Sequence, residues 1–306
     1  MSGDTPDPEH TSVRPEVSKG SLDRGTEWAT LPPEAYAQGW SSTHAQRHEG
    51  PAAEPCTEAV VEEAPVTLVF NAQHAQVLMA TPLDVEALAL GFCLSEGLIE
   101  RADELLEPLQ AVPAGAGLSV LVTLPPARLA ALHRRLRQGA AVGACGLCGL
   151  PDQQAALALP PPRTFTTEAP TAEAIARALQ ALPDAQPLNQ RTGAAHAAAL
   201  AAPDGRLRAV MEDVSRHCAL DKLIGHAARA GLPLREGFVL MSSRASFELV
   251  QKAARVGVPA LVTVSAPPGL ALRAAQRAGL HVMGFAREGR VTSYSGESYS
   301  DRALRS

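Results

Sequence analysis

Apolar and polar residues alternate differently in different parts of this chain. Residues 1–57 are rich in Pro, Glu, Ser, Thr and Gly with little periodicity, which is typical of a disordered or loosely attached tail. Residues 58–142 show strand-like alternation and helix-like spacing, and predict a small α+β domain. Its predicted strands are residues 66–70, 76–79 and 118–124, and its predicted helices run from Thr81 to about Glu96 and from Pro125 to about Gly139.

The pattern is most regular in residues 171–306. Short apolar runs alternate there with amphipathic segments that end at glycines, and the joining loops are short. This order predicts an α/β domain with a parallel or mixed sheet covered by helices on both faces. The expected strands are residues 196–201, 206–214, 238–241, 260–264 and 281–285, and the expected helices are residues 171–182, 217–230, 245–256 and 270–278. Residues 143–170 are expected to form a cysteine loop and a linker between the two domains.

Arginine and hydroxyl side chains follow several of these strands. In an open parallel sheet, ligands bind at the carboxyl ends of the strands, where helix N-termini offer free N–H groups to anions. We therefore expect a phosphate-bearing ligand at this edge. The alternative is that the same arginines form ordinary surface ion pairs. The arginines are Arg216, Arg244, Arg287 and Arg290, and the nearby carboxylates are Glu212, Asp213 and Glu288.

Composition narrows the class of protein. The chain has 306 residues, 46% of them hydrophobic, and a formal net charge of −5, which argues against a general nucleic-acid binder. Five scattered cysteines do not suggest a disulfide framework. The polar first 50 residues contain no apolar segment of a secretory signal, and no apolar run is long enough to cross a membrane. We therefore expect a soluble protein of the reducing cytoplasm.

Two cysteines, Cys145 and Cys148, lie three positions apart in a run of small residues. The adjacent Gly146 and Gly149 permit a loop that presents both thiols. Three kinds of site fit this spacing: a structural pair of buried thiols, half of a zinc site, or a redox or sulfur-relay pair whose thiolate carries sulfur as a persulfide. The zinc deaminase signature is absent, because no histidine is followed two residues later by glutamate and Ala144 precedes Cys145.

Two histidines and one further cysteine are weaker candidates. His217 opens a predicted helix beside Arg216, where it is either a helix cap or a functional residue. His196 lies on a strand of small apolar residues and is expected to be a satisfied core histidine. Cys93 lies in the middle of a helix and is expected to be a packed core thiol. We predict no metal site.

Six blocks of sequence occur in a characteristic order along the chain: residues 88–97, 145–149, 191–198, 212–222, 244–253 and 285–290. Through these blocks the chain resembles a known family, the formate dehydrogenase accessory sulfurtransferases (FdhD). So many ordered blocks make the resemblance far more specific than two cysteines alone. The chain departs from the family pattern at Glu288, where the family usually has glycine.

The resemblance implies a sulfur carrier. Such a protein receives sulfur from a cysteine desulfurase as a persulfide and passes it to the bis-molybdopterin guanine dinucleotide molybdenum cofactor, before that cofactor enters formate dehydrogenase. It also implies a cytidine-deaminase-like scaffold without the zinc chemistry, and a homodimer.

Site residues follow from the same resemblance. Cys145 is the implied persulfide carrier, and Cys148 assists or shares the relay. The implied cofactor-binding stretch is Phe285, Ala286, Arg287, Glu288, Gly289 and Arg290. We add Arg244 as a phosphate partner near a helix N-terminus.

Two rival functions remain open. The first is a non-catalytic molybdenum-cofactor chaperone whose cysteines are structural or bind zinc. The second is a thiol-disulfide oxidoreductase with a reversible Cys145–Cys148 disulfide, although the motif does not open a helix in a thioredoxin-like pattern.

Overall fold

The computed structural model describes residues 29–137, 157–163, 168–287 and 289–294. Its first elements are a short helix, α1 (Ala35–Gln38), and two long strands, β1 (Trp40–Glu49) and β2 (Ala52–Val61). The strands form an antiparallel hairpin that is paired along its whole length. The prediction of a disordered tail is therefore wrong for residues 29–57. Polar side chains on both faces made this segment look unstructured in sequence, whereas cross-strand backbone pairing holds it together.

A four-stranded sheet follows, built from β3 (Ala64–Phe70), β4 (His74–Ala80), β5 (Ala111–Ala114) and β6 (Gly117–Val122). The strand order is β4-β3-β6-β5, with β3 and β6 parallel and the outer pairs antiparallel. Alternate residues of β3 point into the core, as expected from the period of two along a strand. Strands β3, β4 and β6 confirm the predictions, and β5 was not predicted.

Helix α2 (Val85–Ser95) packs on the inner face of this sheet, and α3 (Pro126–Arg137) follows β6. The predicted start of α2 at Thr81 is wrong, because the N-cap is Asp84 and the helix begins at Val85. The Thr81 hydroxyl instead accepts a hydrogen bond from the backbone N–H of Val214, at 3.1 Å, far away in sequence. This segment is thus bonded to the second half of the chain.

The second sheet has six strands. They are β7 (His196–Ala201), β8 (Leu207–Asp213), β9 (Phe238–Met241), β10 (Ala260–Thr263), β11 (His281–Arg287) and β12 (Arg290–Ser293). The order is β12-β11-β10-β9-β7-β8. Strands β9, β10 and β11 are mutually parallel, while β7 is antiparallel to both of its neighbours. Strand β8 therefore runs in the same direction as β9, β10 and β11.

Helices cover both faces of this sheet, as predicted. One face packs against α6 (Arg216–Ala230), α7 (Phe247–Val256) and α8 (Gly269–Ala278). The other face packs against α4 (Ala172–Ala181), and the short helix α5 (Pro187–Thr192) precedes β7. The architecture is a mixed α/β fold with two main sheets. The likeness to the cytidine deaminase scaffold stays a prediction. Strand β12 and helix α5 were not predicted.

Helix α2 also contacts α6 very closely, at Gly91 and Gly225. A Cβ atom on Gly91 would overlap the carbonyl oxygen of Asp221, and one on Gly225 would overlap that of Ala87. Only glycine permits this approach, so α2 packs against the first sheet on one side and against α6 on the other. Among the described residues, no helix is long and apolar enough to span a membrane.

Candidate functional site

The carboxyl ends of β8, β9, β10 and β11 meet at one edge of the six-stranded sheet, because these four strands share a direction. Strand β7 runs the other way and begins at this edge with His196, which pairs with Asp213 at the end of β8. The described residues that follow these strands therefore lie at one edge, as expected. In an α/β sheet, such an edge is where ligands bind.

Asp213, the last residue of β8, holds the loop between β8 and α6 in place. Its carboxylate accepts hydrogen bonds from the backbone N–H of Ser215 at 2.8 Å and of Thr81 at 3.1 Å. It also forms a fully buried ion pair with Lys222 of α6 at 2.6 Å. Because these contacts hold the strand end, the preceding segment and the helix together, α6 begins at a defined position, with Arg216 and His217 in its first turn.

His217 and Glu248 form a second pair at this edge. Nε2 of His217 lies 3.0 Å from Oε2 of Glu248, and the hydroxyl of Ser246 donates to the same carboxylate oxygen at 3.0 Å. Ser246 is the N-cap of α7, and its hydroxyl accepts from the N–H of Leu249. Burial by itself would raise the pKa of Glu248, but the hydrogen bonds and the positive charges of His217 and Arg216 outweigh it and hold this pKa below its ordinary value.

A third charged pair lies one helical turn further along α6 and α7 than the pair of His217 and Glu248. Nζ of Lys252 on α7 contacts the carboxylate of Asp221 on α6 at 2.8 Å and the carboxylate of Glu96 at 3.1 Å. The hydroxyl of Ser95 on α2 donates to Asp221 at 2.6 Å. Burial alone would lower the pKa of Lys252, but the two carboxylates outweigh it and raise this pKa. The charged groups thus tie α2, α6 and α7 together beneath the edge.

Arg216 places a positive charge in the first turn of α6. Burial, together with the charges of Arg216 and His217, lowers the pKa of His196, so its imidazole is neutral near pH 7. The Nε atom of Arg216 is buried without a hydrogen-bond partner among the described residues. Helix α6 adds the free N–H groups of its first turn. An anion is the chemical complement of this arrangement. His196 is half-buried beside this cluster rather than a plain core histidine.

Arg244 lies in the loop after β9, at the same edge. Its side chain is exposed and has no ion-pair partner within the described part of the chain, while its carbonyl accepts from the N–H of Ser246 at 3.1 Å. The neighbouring Ser242 hydroxyl accepts from the N–H of Ala197 at 2.8 Å, which joins the loop to β7. The surface ion pairs considered for this arginine are therefore absent among the described residues.

The predicted cofactor-binding stretch lies at the end of β11. Phe285 has a positive φ of 52°, and the register with β12 shifts between Gly284 and Arg287, so the strand bulges there. Arg287 and Arg290 are exposed and directly paired in register, and Ala286 is buried. Gly289, with φ 74°, makes the turn to β12, and Glu288 lies outside the described residues.

Contacts along the edge link the loop after β9, which contains Arg244, to the loop after β10, and that loop to β11. The N–H of Ser265, after β10, donates to the carbonyl of Ser243 at 3.5 Å. A Cβ atom on Gly284 would lie 2.9 Å from Pro267 in the loop after β10. The structure therefore assembles the predicted residues of β9 and β11 along one edge. Cys145 and Cys148 lie outside the described residues.

The other described cysteines are either buried thiols or lie on the hairpin. Burial raises the pKa of the Cys93 thiol, which confirms it as a core residue, and raises the pKa of Cys218 to about 12. Cys56 lies on the hairpin strand β2. Within the described ranges, no group of three or more His, Cys, Asp or Glu side chains is arranged to hold a metal ion.

Sequence reasoning missed Glu248, Asp221 and Lys252 as members of this site. A signal for them was present, because His217 and Asp221, like Glu248 and Lys252, stand four positions apart and so share a helix face.

Known proteins resemble this chain over most of its length. The sequence profile of the FdhD/NarQ family matches residues 61–300. A protein of Chromobacterium violaceum named "Sulfur carrier protein FdhD" is 44% identical over 261 residues, covering 84% of this chain and 96% of that protein. A protein of Xanthomonas axonopodis pv. citri with the same name is 41% identical over 250 residues, covering 82% of this chain and 88% of that protein.

A solved structure shares the fold. It is the crystal structure of a putative formate dehydrogenase accessory protein from Desulfotalea psychrophila, with a TM-score of 0.64 and 21% sequence identity, covering 85% of this chain and 98% of that one. At this identity the likeness speaks for the fold alone. The profile match and the sequence identities together show that this chain belongs to the FdhD/NarQ family.

Proposed function

We propose that the protein is a sulfur carrier that serves formate dehydrogenase. It takes sulfur from a cysteine desulfurase as a persulfide on Cys145 and delivers it to the bis-molybdopterin guanine dinucleotide cofactor, before that cofactor is inserted into the enzyme. Family membership supports the carrier role, since the relatives are named sulfur carrier proteins. The thiolate chemistry requires a reducing compartment, and we place the protein in the cytoplasm.

The observation that carries the ligand part of this proposal is the cationic edge of the six-stranded sheet. Arg216, Arg244 and the pair Arg287 and Arg290 follow strands that end at the same edge. A guanine dinucleotide carries phosphates, which arginine binds through charge-assisted hydrogen bonds. The cofactor is here the substrate of the carrier.

The loading step uses one thiolate. Cys145 as thiolate attacks the outer sulfur of the desulfurase persulfide, the sulfur–sulfur bond breaks, and the desulfurase cysteine leaves as a thiolate. No oxidant or reductant is needed for this exchange. Cys148 shares the relay or assists it.

Intact-protein mass spectrometry tests the loading step. After incubation with a cysteine desulfurase and cysteine, the wild type should gain one sulfur, about 32 Da, because a persulfide adds a single sulfur atom. Cys145→Ala should show no gain. Cys56→Ala is the matched control, because Cys56 lies on the hairpin strand β2, and it should load like the wild type. An unchanged gain in Cys145→Ala would refute the assignment, and bound zinc in equal amount to protein would favour the chaperone function instead.

Binding of guanosine diphosphate tests the ligand part separately. Arg244→Ala should weaken binding by roughly 1.5–3 kcal/mol, the usual contribution of a hydrogen bond to a charged group. Arg229→Ala, an exposed arginine in the last turn of α6 and remote from the edge, is the control. Equal affinity of Arg244→Ala and the control would contradict the role of Arg244.

We also propose a homodimer formed through the outer face of the four-stranded sheet. Val77, Met79 and Leu121 on this face are each about half exposed, at 49%, 45% and 48%. The strand pairing places them with Pro65, Thr67, Val69, Ser119 and Val112, and none of these residues is charged. Two such faces do not repel each other, and contiguous apolar surface favours burial. Met79→Glu should yield monomers by light scattering, whereas Leu270→Glu, exposed on α8, should not.

A further inference from the structure

Helices α6 and α7 are joined by two charged pairs stacked one helical turn apart. The upper pair is His217 with Glu248, at 3.0 Å, and the lower pair is Asp221 with Lys252, at 2.8 Å. Positions i and i+4 of a helix lie one above the other, so His217 stands above Asp221 on α6 and Glu248 stands above Lys252 on α7. In the upper pair the carboxylate is on α7, whereas in the lower pair the carboxylate is on α6 and the ammonium group is on α7.

The two pairs differ in what surrounds them. The lower pair is enclosed, with each side chain about 3% exposed, and is bonded to Ser95 and Glu96 of the α2 segment. The upper pair lies at the sheet edge, with side chains 9% and 14% exposed. The lower pair thus holds the helices in register, whereas the upper pair meets the ligand edge.

Glu248 occupies only one nitrogen of the His217 ring. Its contact is with Nε2, and the Ser246 hydroxyl also approaches Nε2, at 3.5 Å. Nδ1 has no hydrogen-bond partner among the described residues. With Glu248 ionised, the Nε2 contact fixes the orientation of the ring and favours a proton on Nε2. A second proton on Nδ1 would make that nitrogen a hydrogen-bond donor on a positively charged ring.

We propose that His217 binds the phosphate-bearing ligand at this edge through Nδ1, and that Glu248 is a positioning residue that orients the imidazole. The inference rests on the proposed function, because it assigns a further residue to the same ligand site. A histidine contact with the ligand differs from an arginine contact, since histidine changes charge near neutral pH whereas arginine does not. Binding at this edge is therefore pH-dependent.

The sign of this dependence follows from the groups that face His217. A phosphate favours the protonated imidazole, so binding takes up a proton and the affinity falls as pH rises. Asp213 is already paired with Lys222, and Asp221 with Lys252, so Glu248 is the carboxylate available to balance the imidazolium. The other charged or titratable groups that interact with this cluster are Arg216 on α6 and His196 on β7, while Asp221 and Lys252 lie one helical turn away on α6 and α7.

The test is the affinity of the full-length protein for guanosine diphosphate, measured by calorimetry from about pH 5.5 to about pH 8.5, the range in which histidine titrates. For the wild type, we expect the affinity to fall with pH by up to about tenfold per unit, the limit for one linked proton. His217→Gln should remove this fall, leaving only the pH dependence of the terminal phosphate of the ligand, whose second pKa is about 6. His226→Gln, at a distant position of the same helix, should retain the fall.

Glu248→Gln provides a second variant that keeps His217 in place. Loss of the carboxylate charge makes the imidazole harder to protonate, so the fall in affinity should move to lower pH. His196→Gln should leave the slope unchanged, because burial and the neighbouring positive charges keep His196 neutral over most of this range. Thermal unfolding of each variant confirms that it is folded.

The possible results separate this inference from the proposed function. A pH slope in His217→Gln equal to that of the wild type, or a slope lost only in His196→Gln, overturns the role of His217 and leaves the ligand site intact. No wild-type binding at any pH overturns the ligand part of the proposed function and this inference with it, while the persulfide experiment on Cys145 stands independently.

Discussion

The close packing of α2 on α6 predicts that Gly91→Ala destabilises the folded protein. In Gly91→Ala, the new Cβ atom would overlap the carbonyl oxygen of Asp221 and lie 2.6 Å from its carbonyl carbon and 2.8 Å from the backbone nitrogen of Gly225. Ordinary carbon contacts are about 3.5–4.0 Å long, and the overlap with the carbonyl oxygen is the most severe of the three, so the two helices must separate by more than about 1 Å. All three atoms belong to backbone, which cannot rotate away.

In Gly91→Ala, the destabilisation from overpacking is expected to exceed the stabilisation from the higher helix propensity of alanine. Alanine in place of glycine stabilises a helix interior by about 1 kcal/mol. Overpacking a buried contact costs about 1–3 kcal/mol, and more where backbone must move. We therefore expect Gly91→Ala to lower the free energy of unfolding by about 2 kcal/mol or more. The displaced residue Asp221 also bonds Ser95 and Lys252, so the shift should reach the charged pairs below the ligand edge.

Gly269→Ala is the matched control. Gly269 is the first residue of α8 and is exposed, and a Cβ atom there would meet only Nη1 of Arg273, at 3.4 Å. This flexible side chain can move, so the substitution should be neutral or stabilising by up to about 1 kcal/mol. Urea denaturation of the two variants and the wild type gives the comparison. A Gly91→Ala protein as stable as the Gly269→Ala protein would refute the close packing of α2 on α6.

Three further predictions concern the buried charged groups and thiols. Lys252→Met should lower the free energy of unfolding by about 3–5 kcal/mol in urea, because it leaves the buried Asp221 carboxylate without its partner; a loss below about 1 kcal/mol would contradict this. Glu248→Gln should remove a part of the acid sensitivity of stability. The folded pKa of Glu248 is depressed, so its contribution is present above the ordinary glutamate pKa and is lost as pH falls through the folded pKa. The denaturant midpoints of the wild type and of Glu248→Gln should therefore approach each other as the pH falls. A constant difference between the two midpoints across acidic pH would count against the His217–Glu248 contact. Iodoacetamide should leave Cys93 and Cys218 unmodified in the native protein, since burial keeps both as thiols, and should modify them in urea, as read by intact mass.

The elements of the second sheet were predictable because their signals are local. The strands Phe238–Met241 and His196–Ala201 were predicted with the bounds that the structure has. Ser246 and Thr171 cap α7 and α4 through side-chain bonds, and glycines end α6, α7 and α8 in the left-handed conformation. Each of these features depends on residues within one or two turns, which a sequence displays directly.

The hairpin of β1 and β2 was not predictable in the same way. Strand β1 is mostly polar, β2 combines alanines with two glutamates, and the side chains of both strands are exposed or half-buried, so the segment resembles a disordered tail. Its stability comes from backbone pairing between Trp40 and Val61 at one end and Glu49 and Ala52 at the other. Neither composition nor periodicity reports such pairing when both faces meet solvent.

By itself, the sequence determined the family, the main strands and helices, and the arginines that lie at one edge of the sheet. It could do so because motif blocks, capping residues and apolar periods are carried by neighbouring positions. Only the tertiary structure decided that β7 runs against its neighbours, that Thr81 bonds to the end of β8, and that His217 meets Glu248 while Asp221 meets Lys252. The three side-chain contacts join residues about 30 to 130 positions apart, and their energies depend on burial and on distance, which exist only once the chain has folded.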